Sequence, residues 1–79
     1  MHKRGFIIKA TLLGLDLYTF CKEEAKAQDI FYERVSRLCD LCDVKQPPIS
    51  EVIQLFENDW IFTIDKGNAV EVFPCIVED

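Results

Sequence analysis

The chain predicts an α+β fold: a two-layer sandwich in which an antiparallel sheet of about four strands, in the order β-β-α-α-β-β, is covered on one face by one long and one short helix. Three observations carry this expectation. Residues 22–43 repeat apolar side chains at helical spacing. Gln46-Pro47-Pro48 then interrupts the pattern ahead of a second, shorter helical stretch. On either side of this helical centre lie apolar segments that fold back about Leu13-Gly14 and Asp65-Lys66-Gly67.

In the first hairpin, Phe6 to Phe20, a loop at Leu13-Gly14 sets Leu12 opposite Leu15, Thr11 opposite Asp16, Ala10 opposite Leu17, Lys9 opposite Tyr18 and Ile7 opposite Phe20. Residues paired across an antiparallel ladder share a face. Ile8, Ala10, Leu12, Leu15 and Leu17 therefore form an apolar core face. Lys9, Thr11, Asp16, Ile7, Tyr18 and Phe20 form the other. Leu-Gly is a weak hairpin dipeptide, and a one-residue slip would exchange the faces.

The long helix gathers Ala27, Ile30, Phe31, Val35, Leu38, Leu41 and Cys42 on one stripe, with Cys39 at its edge and the charged residues opposite. Glu23 and Glu24 suit the positive end of its dipole. The proline pair is expected to stop it near Val44 or Lys45. In the second helix, ISEVIQLFEND, Ile49, Val52, Ile53, Leu55 and Phe56 supply the apolar face and Asn58 the terminator. The last hairpin places Trp60, Phe62, Ile64, Val70 and Val72 towards the core and Ile61 and Phe73 away from it. Its loop is expected to be a type I turn with Gly67 in a left-handed bulge position.

Seventy-nine residues make one domain, spanning residues 1–79. A chain of that size buries only about 60% of the surface its unfolded state exposes. The opening MHKRGFIIKATLLG has a basic flank and an apolar section, but Lys9 interrupts it and no small-residue cleavage site follows. It is expected to be the first strand. The four cysteines, Cys21, Cys39, Cys42 and Cys75, are accordingly expected to be reduced thiols of a cytoplasmic protein. No apolar run approaches the ~20 residues a bilayer-spanning helix needs, so no membrane partner is expected.

Charge divides the chain. Residues 1–37 hold seven Lys/Arg and five Asp/Glu, whereas residues 38–79 hold two and nine, leaving −5 in all. An acidic half opposes contact with phosphate and favours a basic protein surface, so direct nucleic-acid binding is not expected. A solvated acidic face that merely keeps the protein soluble is the plainer reading of the same charges.

Catalysis is poorly supplied. His2 is the single histidine, the glycines do not form a phosphate loop, and no carboxylate pair is spaced for acid–base work. The spacing Cys39-Asp40-Leu41-Cys42 suits two thiolates on one metal, yet it lies near a helix C-terminus among acids, where thiolate is disfavoured. Small buried hydrophobes are the competing account. Arg34 falls within the apolar stripe, where its stem can pack while its head reaches solvent, or where it can anchor a partner's carboxylate.

The expected function is a small acidic protein-binding module that occupies a surface of a larger, basic protein, without catalysis and without a cofactor. Tyr18, Phe20, Ile61 and Phe73 would supply an exposed aromatic sheet face, Arg34 an anchor, and Asp40, Asp43, Glu51, Glu57 and Asp59 the field. Inhibitors that phages direct against host nucleic-acid-processing or defence complexes share this size and charge, an analogy without a motif behind it. Two alternatives stand beside it: a zinc-stabilised structural domain using Cys39 and Cys42, and a homodimer formed through the exposed sheet face.

Overall fold

The computed structural model describes the backbone of residues 2–78 and the side chains of residues 4–76. β1 (His2–Leu12) and β2 (Leu15–Cys21) form the first hairpin, followed by the helix α1 (Glu24–Cys42). α2 (Ile49–Gln54) runs directly into one π-helical turn, Leu55–Asp59, and β3 (Ile61–Asp65) and β4 (Asn68–Glu78) form the second hairpin. The strands make one antiparallel sheet in the order β2-β1-β4-β3. The first and last strands thus lie together in the middle, paired from His2 and Glu78 to Thr11 and Ala69.

The helices cover one face of this sheet, and the fold is the expected two-layer α+β sandwich. Phe6 and Ile8 of β1 and Val70 and Val72 of β4 are buried beneath Ala27, Phe31, Val35, Leu38 and Cys39 of α1. Val52 and Phe56 close the core from α2 and the π-helical turn. The β1–β2 register matches the sequence expectation, from Leu12 opposite Leu15 to Ile7 opposite Phe20.

Leu13 and Gly14 both have positive φ, 51° and 80°, the signature of a two-residue type I′ loop. A left-handed conformation costs a leucine about 1–2 kcal/mol. The second hairpin offsets that cost. The Leu13 N–H donates to Asn68 Oδ1 at 3.1 Å, and the Gly14 N–H donates to the Gly67 carbonyl at 3.1 Å. Asn68, itself buried, donates through Nδ2 to Asp65 Oδ1 at 2.9 Å. The two loops are therefore clasped together, and this clasp holds the weak Leu-Gly loop in register.

Several local expectations are corrected. Gly67 is not left-handed: Gly14 is the glycine with positive φ. The second loop is held instead by the Asp65 carboxylate, which accepts the Gly67 N–H at 2.9 Å, and the irregularity lies between Thr63 and Asp65 in β3. α1 ends before the prolines, because Asp43 turns left-handed (φ 55°) and its N–H, with that of Val44, closes the last turn onto Cys39 and Asp40 carbonyls. The second helical stretch is ended by Trp60 rather than Asn58. Its φ is 58° and its N–H donates to the Leu55 carbonyl, so Trp60 packs against the core from outside the strand.

The burial stripe of α1 is also rotated. Cys39 is fully buried and Cys42 only half so, while Leu41 is 61% exposed. Leu15 and Leu17 face the helical side as expected but are 77% and 54% exposed, because α1 lies over β1 and β4 and scarcely reaches β2.

Replacing Leu13 by Asn, which tolerates the left-handed region, is expected to stabilise the fold by about 1 kcal/mol. Asn68→Leu removes the acceptor of the Leu13 N–H and the donor to Asp65, leaving the Gly14–Gly67 bond, and is expected to destabilise the fold by about 1–3 kcal/mol. Denaturant midpoints at unchanged slope measure both.

Candidate interaction surfaces

The outer face of the sheet carries no covering layer among the described residues. One row across it is apolar, since Phe20 of β2 and Phe73 of β4 both pair with Ile7 of β1. The next row sets Tyr18, Lys9, Glu71 and Ile61 side by side across all four strands. Tyr18, Phe20, Phe73 and Ile61 are 60%, 51%, 42% and 38% exposed. The structure therefore brings the four sheet residues expected from the sequence onto one surface. Towards the loops that surface turns polar, where Thr11 Oγ1 donates to Asp16 Oδ1 at 2.7 Å and Lys9 lies 4.0 Å from Asp16.

The acidic residues are elsewhere. Asp40 and Asp43 are exposed at the C-terminal end of α1, Glu51 on α2, and Glu57 and Asp59 on the π-helical turn. All belong to the helical layer, on the opposite side of the sheet from Tyr18 and Phe20. Aromatic contact and acidic field are two surfaces rather than one.

Arg34, named from the sequence as an anchor, borders a third surface, a groove that sequence reasoning missed. It lies at the β2 side of α1, where Nη2 donates to Thr19 Oγ1 at 3.4 Å and Nη1 lies 3.7 Å from Glu33 Oε1. The stem packs and the head reaches the sheet edge, as the snorkelling reading expects. Its Nε is inaccessible to water and has no acceptor. Beside it, between α1 and β2, runs an apolar groove of about 350 Å³ whose lining includes Leu12, Leu15, Leu17 and Leu41 together with Arg34 and Arg37. The signal for it was present in the sequence as a fourth strand with apolar inward positions and too little helix to cover them.

The cysteines are all free thiols. Cys39 sits at the centre of the core, where burial first, then the Asp40 carboxylate and Cys42, push its thiol above the ordinary range. A structural zinc site needs thiolates and four ligands. Cys21 lies on the helical face, its thiol directed to the Glu23 carbonyl at 3.2 Å. Cys75, opposite Gly5, lies on the outer face. Cys21 precedes the N-terminal end of α1 whereas Cys39 and Cys42 lie in its last turn, and no group of three or more metal-ligating residues is assembled among the described residues. Nor is any helix there long and apolar enough to cross a membrane.

Because Cys39 holds its proton in the folded state above the pH at which an unfolded thiol loses it, its contribution to stability is complete below about pH 8.5 and declines as pH rises beyond it. Cys39→Ala is expected to lower stability throughout by leaving a cavity, yet to flatten its fall between pH 8 and 10. Urea denaturation across that range reads level and slope separately.

No protein-family model, curated protein or solved structure matches this chain.

Proposed function

We propose that this chain is a protein-binding module that docks through the outer face of its sheet onto a larger, basic partner. The observation that carries this reading is the exposed aromatic and aliphatic cluster of Tyr18, Phe20, Ile61 and Phe73 around Ile7 on a sheet face that no other layer covers among the described residues. Aromatic side chains on a rigid ladder bring large contact area at little entropic cost, and they are the residues enriched at the centres of interfaces.

The acidic helical layer has a different role in this reading. Carrying Asp40, Asp43, Glu51, Glu57 and Asp59 on the side away from the contact, it adds long-range attraction for a basic partner without orienting or bonding to it. Attraction of that kind raises the association rate and is screened by salt, whereas an apolar contact governs dissociation and is not. Inhibition of the partner follows if the occupied surface is its own working surface.

The test is affinity capture from cells of the source organism, with kinetics on the captured species. The paired change Tyr18→Ala and Phe20→Ala is expected to raise the dissociation rate about tenfold or more. Asp40→Asn with Asp43→Asn is expected to slow association at low salt and leave dissociation unchanged. A partner lost only on changing the acidic residues would overturn the sheet-face reading. So would a mass that doubles from 9.2 kDa with concentration in light scattering and reverts in the aromatic variant, which would make the face a homodimer interface.

A further inference from the structure

We propose that β2 and the groove beside it receive an extended acidic-hydrophobic segment of another protein, which adds antiparallel to β2 as a fifth strand and places a carboxylate on Arg34. This site does not depend on the outer face, because Leu17 and Arg34 lie on the helical side of the sheet.

The backbone of β2 is the first element of the argument. β2 ends the sheet, and a two-residue hairpin loop closes on a hydrogen-bonded pair, here Leu12 and Leu15. Bonding then alternates, so Leu15, Leu17, Thr19 and Cys21 bond towards β1, and Asp16, Tyr18 and Phe20 direct their N–H and C=O groups outward. Exposed edges are normally blunted by lysine, proline, a bulge or a covering segment. The sequence LDLYTFC has neither lysine nor proline, its one charge, Asp16, is turned to Thr11 and Lys9 at the loop end, and its pairing with β1 runs without a register shift. It is an open template for strand addition.

The groove supplies the second element. Side chains of an added strand alternate between the outer face and the helical side. Those opposite Leu15 and Leu17 enter the apolar space bounded by Leu41 and Leu38 of α1. The one opposite Thr19 meets Arg34, whose bond to Thr19 Oγ1 is long at 3.4 Å and whose side chain keeps 22% exposure. A carboxylate there bonds to the Nη groups at the open end of the guanidinium, in the charge-assisted contact that arginine favours.

Charge selects the occupant. Arg34 and Arg37 outnumber Asp16, the one acidic side chain lining the groove and already held by Thr11 and Lys9, in a chain of net charge −5. A second copy pairing through β2 would bring its own Arg34 and Arg37 to the same seam, setting like charges together. A segment carrying a carboxylate complements them. Read from its N-terminus, the antiparallel occupant has the order carboxylate, any residue, apolar, any residue, apolar.

Fluorescence polarisation with a labelled peptide containing Glu-Thr-Val-Thr-Val tests this on the full chain. Saturable binding is expected, together with amide shift changes centred on Asp16, Tyr18 and Phe20. Changing the peptide's Glu to Gln, which leaves the protein untouched, is expected to weaken binding about tenfold. Arg34→Gln is expected to do the same, and the two changes together to cost no more than either alone. Leu17→Lys should abolish binding while Tyr18→Ala with Phe73→Ala leaves the groove contact in place. Absence of binding at millimolar peptide, equal affinity for the Glu and Gln peptides, or peptide-free dimerisation abolished by Leu17→Lys would each overturn the proposal.

Discussion

Three phenylalanines hold the two layers together. Phe56 lies 5.9 Å from Phe6 and 5.8 Å from Phe31 between ring centroids, in tilted arrangements of the kind that aromatic pairs prefer. Phe6 belongs to β1, Phe31 to α1 and Phe56 to the π-helical turn, so one cluster joins the central strand, the long helix and the chain's return to the sheet. All three are at most 4% exposed. The extra residue of the π-helical turn and the left-handed Trp60 that ends it bring Phe56 inward and deliver the chain to β3, with the Trp60 carbonyl accepting the Val72 N–H at 2.8 Å.

That arrangement also sets what is left uncovered. A helix is about 10 Å wide and neighbouring strands are about 4.8 Å apart, so one long helix roofs two strands of a four-stranded sheet. α1 takes β1 and β4, the pair on which the cluster sits. β3 is approached by the short helical segment, and β2 receives no roof of its own. The exposure of Leu15, Leu17 and Leu41 follows from this geometry rather than from any polarity in the residues. The outer face is left uncovered among the described residues for the same reason, since both helical segments pack on the other side of the sheet.

The distribution of charge follows the layers. Asp40, Asp43, Glu51, Glu57 and Asp59 lie at the ends and outer surfaces of the helical segments, where carboxylates remain solvated, whereas Glu71 lies on the outer sheet face and Asp65 in the second hairpin loop. The aromatic residues of the strands lie across the sheet from the helical carboxylates. The two arginines beside the groove interrupt the acidic layer where the β2 edge and α1 leave apolar surface open. Three surfaces of different chemistry thus result from one packing decision.

Much of this was legible in local pattern. The order of elements, the two-layer class, the β1–β2 register and the aromatic composition of the outer face all follow from alternation and helical spacing, because side-chain direction in a strand or helix repeats with a fixed period. What local pattern could not supply was the placement of elements relative to one another. The adjacency of β1 and β4 joins residues more than fifty positions apart, and the clasp between Asn68 and Leu13 exists only once those strands meet. The rotation that buries Cys39 and exposes Leu41, and the groove beside Arg34, depend on which strands α1 covers. Periodicity determined which faces of this protein are apolar; tertiary packing decided which of them were covered, because two helices offer less apolar surface than four strands can use.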